Sequence, residues 1–213
     1  MYLNNGQYLL GLHSSTKDFG VAVLDLKKES RIIETSIVKF DRKLSNNLFD
    51  YIEKLLPNKY WSQIARLAVS TGPGSFTGTR ITLAMARILA QQINCQIDGI
   101  SSFSLMAPRL SKKLNEEDIS KPFWIIQSIK RQGYIAGKYQ VMKNKESRSI
   151  VTSELKEPFL LKQGEEVYPA LSADEDLSLD IHELMNRCLI GLQNENVSPW
   201  QKVLPIYPTS PVN

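Results

Sequence analysis

The chain has 213 residues and a formal net charge of +4, with 42% hydrophobic and 23% charged residues. This length and composition are typical of a folded protein with a substantial apolar core, which argues against disorder. The mildly basic balance suits an assembly near RNA, but it lacks the dense Lys/Arg face of a stand-alone RNA-binding module. No stretch reaches the roughly 18 apolar residues of a membrane span, and residues 1–12 do not resemble a signal peptide. We therefore expect a cytoplasmic protein without a membrane segment.

The two cysteines, Cys95 and Cys188, belong to no CxxC or CxxH pattern. A zinc site or a disulfide framework therefore has no support, and we expect two small buried residues.

Short apolar runs at the start of the chain predict three strands joined as an antiparallel meander. The expected elements, in chain order, are strands 8–13, 20–26 and 31–40, a helix over 44–55, a strand over 64–70, a helix over 76–93, a strand over 95–100 and a helix capped by Ser101 or Ser102 that runs through 106. This order resembles the ribonuclease-H-like half of actin, Hsp70 and sugar kinases. The predicted fold class is therefore α/β of the actin-like ATPase superfold.

A polar segment over 115–121 ends before Pro122 and indicates a linker. Beyond it we expect strands over 123–129, 133–142 and 148–152, a solvated acidic loop over 174–176, a helix over 179–192, and an extended tail anchored at Ile206 and Tyr207. We therefore predict two ribonuclease-H-like subdomains, 1–112 and a smaller one over 113–213.

The segment 70–80, STGPGSFTGTR, joins a predicted buried strand to the start of a helix. The first N–H groups of a helix lack intrahelical partners, so this point favours an anion. Five residues separate Gly72 from Gly78, and no Lys follows, so a Walker A loop is excluded; Thr77 also breaks a GxGxxG fingerprint. Two interpretations stay open: a phosphate or nucleotide site, or a tight turn capped by Ser75 or Thr77. The candidate binding residues are Ser14, Ser15, Gly72, Gly74, Ser75, Thr77, Gly78 and Arg80.

The run GPGSFTGTRITLAMARILA, with GISSFSLMA after it, closely resembles the signature of the TsaB (YeaZ) family. The similarity extends from Leu9 to about Ala107. It implies a two-domain actin-like protein that pairs with TsaD, the catalytic subunit, and works beside TsaE, an ATPase. Their complex forms N6-threonylcarbamoyladenosine (t6A) at position 37 of tRNAs reading ANN codons, so tRNA would be an indirect partner.

Several positions depart from the family pattern, which indicates a divergent member. His13 stands where the family has an acid, and Leu44-Ser45 replaces a His-Ser pair. A neutral imidazole cannot replace a carboxylate around Mg²⁺. The family's second-domain motif is weakened to the segment 129–134, and its terminal motif to 205–208.

The sequence shows no catalytic constellation. His13 and His182 cannot form an HxxxH metal pair, and no GxSxG elbow occurs. We expect His13 to be an interior hydrogen-bonded imidazole and His182 to face solvent. The chain is therefore interpreted as a non-enzyme, with no metal and no firm cofactor beyond ATP or ADP at the partner interface.

The helices over 44–55 and 76–93 carry more apolar positions than one buried stripe requires. They are either unusually well buried or form a docking face. The resemblance implies that TsaB proteins dock TsaD through these helices, or pair with a second copy through the same face. The candidate interface residues are Leu44, Leu48, Tyr51, Ile52, Leu55, Leu83, Ala84, Arg87 and Ile88.

The leading hypothesis is thus a partner or activator subunit in t6A synthesis. The alternatives are an ATP-dependent small-molecule kinase of the same superfold, or an inactive glycoprotease-like homologue that acts as a dimerisation module.

Overall fold

A computed structural model describes residues 6–39, 47–115, 118, 120–130, 132–143 and 150–208. The chain forms two compact units. The first unit comprises Met1–Ile100 and Leu177–Pro205, and the second comprises Ser101–Asp176 and Ile206–Asn213.

The first unit contains a five-stranded sheet. Its strands are β1 (Tyr8–His13), β2 (Asp18–Asp25), β3 (Ile33–Lys39), β4 (Ile64–Ser70) and β5 (Gln96–Ile100), in the order β3-β2-β1-β4-β5. Strands β1, β2 and β3 are antiparallel neighbours, which confirms the predicted meander. Strands β4 and β5 run parallel to β1.

The α-helices within the described residues are α1 (Leu48–Leu55), α2 (Phe76–Ile93), α3 (Ser102–Leu110) and α4 (Leu177–Gln193). Short 3-10 turns occur at Asn58–Gln63, Ser111–Lys113 and Trp200–Lys202. Ser101 caps α3, because its side chain accepts a hydrogen bond from the Ser104 N–H.

Helices α1 and α2 cover one face of the first sheet, and α4 covers the other. Leu10 and Leu12 of β1 share a core cluster with Ile52 of α1 and Leu89 of α2. Side chains alternate between faces along a strand, so Gly11 points the other way. A Cβ on Gly11 would lie 2.5 Å from the Met185 Sδ of α4. The first unit therefore has helices on both faces of its sheet.

The second unit contains a four-stranded sheet with one helix against it. Its strands are β6 (Phe123–Ile129), β7 (Gly133–Lys143), β8 (Ile150–Leu160) and β9 (Ala170–Ser172), in the order β8-β7-β6-β9. Phe103 and Met106 of α3 pack on Phe123, Ile125 and Tyr139 of this sheet.

The observed units differ from the predicted division at 112/113 in two places. Helix α3 joins the second unit, and the segment Leu177–Pro205 joins the first. The reason is packing: α3 completes the apolar cluster of the second sheet, and α4 lies on β1 and β2.

The C-terminal tail is buried at Val203, a residue that was not among the predicted anchors. Val203 is buried and belongs to the core of the first unit, whereas Ile206 is half-buried and Tyr207 is exposed. Strand β8 is also much longer than the predicted 148–152, of which 148 and 149 lie outside the described residues.

Candidate functional site

The loop between β4 and α2 forms a tight strand-to-helix turn. All seven residues of β4 are buried. Helix α2 begins at Phe76 after Ser75, whose side-chain oxygen accepts a hydrogen bond from the Gly78 N–H at 3.3 Å. Of the two predicted caps, Ser75 and Thr77, the structure shows Ser75. This bond satisfies one of the N–H groups that a helix start leaves without a partner.

The turn after β1 packs directly against this loop. The Ser75 N–H donates to the Ser15 carbonyl oxygen at 2.6 Å, and the Ser15 and Ser70 hydroxyls lie 2.7 Å apart. Gly74 has a φ of +156°, and a Cβ there would lie 1.9 Å from the Ser15 oxygen. Gly74 is therefore required by the close approach of two backbone segments.

The predicted phosphate-binding residues converge on this junction but differ in access. Ser14, Ser15, Gly72 and Gly78 are buried; Ser75 and Arg80 are half-buried; Gly74 and Thr77 are exposed. The Arg80 guanidinium lies 3.4 Å from the centre of the Phe76 ring. A ligand arriving from solvent would first meet the exposed and half-buried members. Nucleotide binding at these residues stays a prediction.

His13 is sealed at the end of β1. Its Nδ1 accepts a hydrogen bond from the Ser15 N–H at 3.3 Å, and burial lowers the pKa of the imidazole from 6.5 to about 3. The ring is therefore neutral at physiological pH. This matches the expected interior imidazole, whereas His182 is half-buried and bonds through Nδ1 to the Ser178 carbonyl.

Four buried polar atoms in this part of the first unit have no hydrogen-bond partner among the described residues. They are His13 Nε2, Ser14 Oγ, Thr79 Oγ1 and Thr82 Oγ1. Thr79 and Thr82 were not predicted as site residues. A threonine within a helix gives no sequence signal of its own, because it is equally compatible with a surface or a core position.

The structure revises the predicted partner interface. Leu48, Ile52 and Leu83 are at most 3% exposed and belong to the core of the first unit, so their side chains cannot contact a partner in this conformation. Tyr51, Leu55 and Arg87 are half-buried, Ala84 and Ile88 are exposed, and Leu44 lies outside the described residues.

An exposed apolar stripe remains on α2. Ile81, Ala84 and Ile88 follow the i, i+3, i+7 spacing of one helix face. Ala84 and Ile88 are exposed, Ile88 by 54%, whereas Ile81 is half-buried and packs against the core. We call these three residues the α2 stripe. On α1, Phe49 is 41% exposed and lies 5.7 Å from Trp61, measured between ring centres. Phe49 is not among the interface residues predicted from the sequence, because it lies outside the leucine stripe of that helix.

The part of the chain that the structure describes offers little further chemistry. No group of three or more His, Cys, Asp or Glu side chains there could hold a metal ion. Cys95 and Cys188 are both buried, and burial raises the pKa of the Cys95 thiol to about 12. No described helix is both long enough and apolar enough to cross a bilayer.

A family model described as TsaD, tRNA N6-adenosine threonylcarbamoyltransferase, matches residues 38–157, more than half of the chain. Among curated relatives, the chain is 27% identical over 101 residues to the tRNA threonylcarbamoyladenosine biosynthesis protein TsaB of Bacillus subtilis, a match that covers 46% of this chain and 43% of the relative. It is 26% identical over 157 residues to TsaB of Buchnera aphidicola from Acyrthosiphon pisum, with 73% and 66% covered. An uncharacterised Mycoplasma pneumoniae protein is 30% identical over 105 residues, with 48% and 53% covered. The chain spans about half the length of the Mycoplasma pneumoniae and Bacillus subtilis relatives.

The solved structures of similar fold include YeaZ from Pseudomonas aeruginosa, with a TM-score of 0.66 and 17% identity over 94% of this chain and 99% of that one. A second Pseudomonas aeruginosa structure, of an uncharacterised protein with similarity to peptidase YeaZ, has a TM-score of 0.69 and 18% identity over 95% and 100%. This likeness confirms the predicted α/β fold class.

Proposed function

Because the chain belongs to the TsaD family of tRNA N6-adenosine threonylcarbamoyltransferases, as a divergent TsaB (YeaZ) member, we propose that it is a partner subunit in t6A synthesis. It would associate with a TsaD-type catalytic subunit and support the modification of adenosine in tRNA. A TsaE-type ATPase and the tRNA would join the same assembly.

The observation that carries this proposal is the α2 stripe. Ile88 is 54% exposed, although its neighbours Ala86 and Leu89 on the same helix are buried. Ala84 adds no bulk, so a partner helix can approach α2 closely. The opposite face of α2 already packs on the core. An apolar stripe that remains on the outer face therefore fits docking by another helix.

We further propose that the chain itself is not catalytic. The position at which related kinases place an acid is occupied by His13, whose pKa of about 3 keeps it neutral. Its Nδ1 is already engaged by the Ser15 N–H. A neutral, buried imidazole can neither bind Mg²⁺ as a carboxylate does nor reach a substrate in solvent.

The test titrates the purified chain with its cognate TsaD-type subunit and measures the binding affinity by calorimetry. Ile88→Asp removes the apolar contact and places a charge in the interface, so the affinity should fall at least about tenfold. Ile190→Asp is the matched control, since Ile190 is 42% exposed on α4 and is not in the stripe. Equal loss in both variants, or no complex with the folded wild-type chain, would overturn the proposal.

Two further measurements separate the alternatives. Mass spectrometry of tRNA nucleosides from a depleted strain should show loss of t6A, which a dimerisation module unrelated to tRNA would leave intact. The purified chain alone should show no phosphoryl transfer, whereas a small-molecule kinase would.

If Ile88→Asp dissociates a homodimer without affecting a mixed complex, then the α2 stripe serves self-association and the proposed docking site is incorrect.

A further inference from the structure

The sheet of the second unit carries a cluster of aromatic and basic side chains, which we call the Trp124 cluster: Trp124, Lys138, Lys156 and Phe159. The rings of Trp124 and Phe159 are 6.2 Å apart in an edge-on arrangement. The Lys156 Nζ lies 3.7 Å from the centre of the Phe159 ring and 5.9 Å from that of Trp124. The Lys138 Nζ lies 5.5 Å from the Trp124 ring centre.

Strand register places this cluster on the sheet face opposite α3. Trp124 of β6 is the direct neighbour of Lys138 on β7, which in turn pairs with Lys156 on β8. The flanking residues Phe123 and Ile125 point to the other face, where they pack against Phe103 and Met106 of α3. Because side chains alternate along a strand, Trp124 and its neighbours form a separate outer surface.

One acidic residue of β8, Glu154, acts on the opposite side of the sheet. Glu154 accepts a hydrogen bond from the Ser101 hydroxyl at the start of α3. Burial is the main cause that raises the pKa of Tyr139, and the charges of Glu154 and Glu157 raise it further. Tyr139 packs with Phe103 and Met106 of α3. Glu154 of β8 therefore acts towards α3, whereas Lys138 and Lys156 lie with Trp124 and Phe159.

An open pocket of about 590 Å³ adjoins the cluster and shares Lys156 and Phe159 with it. Lys162, Gln163 and Glu165 also line the pocket, and the Glu165 carboxylate accepts a hydrogen bond from the Lys162 backbone N–H at 3.2 Å.

We propose that this face binds single-stranded RNA, with bases stacking on Trp124 and Phe159 and with Lys138, Lys156 and Lys162 contacting phosphates. Aromatic side chains on an open sheet flanked by lysines are a general means of holding unpaired bases, because every base has a π face. The lysine stems are flexible, so their ammonium groups can move from the rings to phosphate oxygens. The proposal rests on the proposed function only for the identity of the RNA, an unpaired segment of tRNA.

The test measures the fluorescence anisotropy of a fluorescein-labelled, single-stranded oligoribonucleotide of mixed sequence, titrated with the full chain at several salt concentrations. Trp124→Leu keeps apolar volume but removes the stacking surface, so the Kd should rise about tenfold. Lys138→Gln combined with Lys156→Gln, which leaves the packing of the sheet intact, should reduce the slope of log K against log salt by about 1.4.

The matched control is Lys54→Gln combined with Lys59→Gln. These lysines of the first unit lie 4.4 Å and 4.9 Å from the ring centres of Tyr51 and Tyr60, so they form contacts of the same kind. The control should bind RNA like the wild type. The inference is overturned if the folded wild-type chain does not bind RNA, if both lysine pairs have equal effects, or if an acidic peptide displaces the RNA at equal concentration.

The same variants distinguish this inference from the proposed function. If the Lys138/Lys156 variant loses RNA but still binds the catalytic subunit, both hold. If the wild-type chain binds that subunit but not RNA, only the RNA surface is incorrect. If RNA binding follows the expected pattern and no subunit complex forms, only the proposed function is incorrect.

Discussion

Replacement of Gly74 by alanine tests the junction between the α2 loop and the turn after β1. The new Cβ would lie 1.9 Å from the Ser15 carbonyl oxygen, so the two backbones must separate by about 1.1 Å to reach even the 3.0 Å limit of real contacts. That movement breaks the 2.6 Å bond from the Ser75 N–H to the same oxygen, which costs about 1 kcal/mol. Overpacking strain adds about 1–3 kcal/mol.

We therefore expect Gly74→Ala to lower the free energy of unfolding by about 2–4 kcal/mol, equivalent to a melting temperature lower by roughly 5–15 °C for a chain of this size. Circular dichroism during heating measures the shift. Gly164→Ala is the control: Gly164 has a φ of +81° but open space around its Cβ, so only about 1 kcal/mol is expected. Equal shifts in the two variants would refute the packing of Ser15 on Gly74.

The remaining predictions concern buried titratable side chains. The His13 pKa of about 3 in the folded chain lies below the ordinary 6.5, so as the pH falls the unfolded chain takes up a proton first. The contribution of His13 to the free energy of unfolding is therefore complete above pH 6.5. It falls by up to about 1.4 kcal/mol per pH unit as the pH drops towards 3. Urea unfolding at pH 7 and pH 5.5 should show this loss in the wild type and less of it in His13→Asn; an identical dependence would contradict the buried neutral ring. Asp98→Ala should cost about 3 kcal/mol in unfolding free energy, because Arg66, which is 2% exposed, loses two hydrogen bonds of 2.6 Å. Glu34→Ala, which breaks an exposed pair with Lys28, should have a much smaller effect.

The elements predicted most accurately from the sequence are those whose residue pattern is local. The bounds of β4 and α2 agree with the predictions, because an uninterrupted apolar run and a helix opened by a serine cap are both set by neighbouring residues. The sequence indicated Ser14, Ser15, Gly72 and Gly78 as candidates for one site, and the structure brings them together because β1 and β4 are adjacent parallel strands.

Features that depend on distant packing could not be predicted in this way. The apolar pattern of α1 does not tell which of its side chains lie in the core and which remain at the surface; the structure assigns Ile52 to the core and Phe49 to the surface. The amphipathic pattern of α4 likewise fits either unit, and only the sheet surface around Gly11 and Gly20, which accepts Met185 and Ile181, decides its position. The Trp124 cluster was missed because its members come from three strands.

The position of α4 also has a consequence for biosynthesis. Ribosomes deliver the chain from its N-terminus, so all five strands of the first sheet emerge well before Leu177. Until then Gly11 and Gly20, which have no side chains of their own, leave that side of the sheet without the cover of Met185 and Ile181. The nascent first unit is thus incomplete while the second unit is being translated, and a stop codon ahead of residue 177 would release a sheet with one face bare.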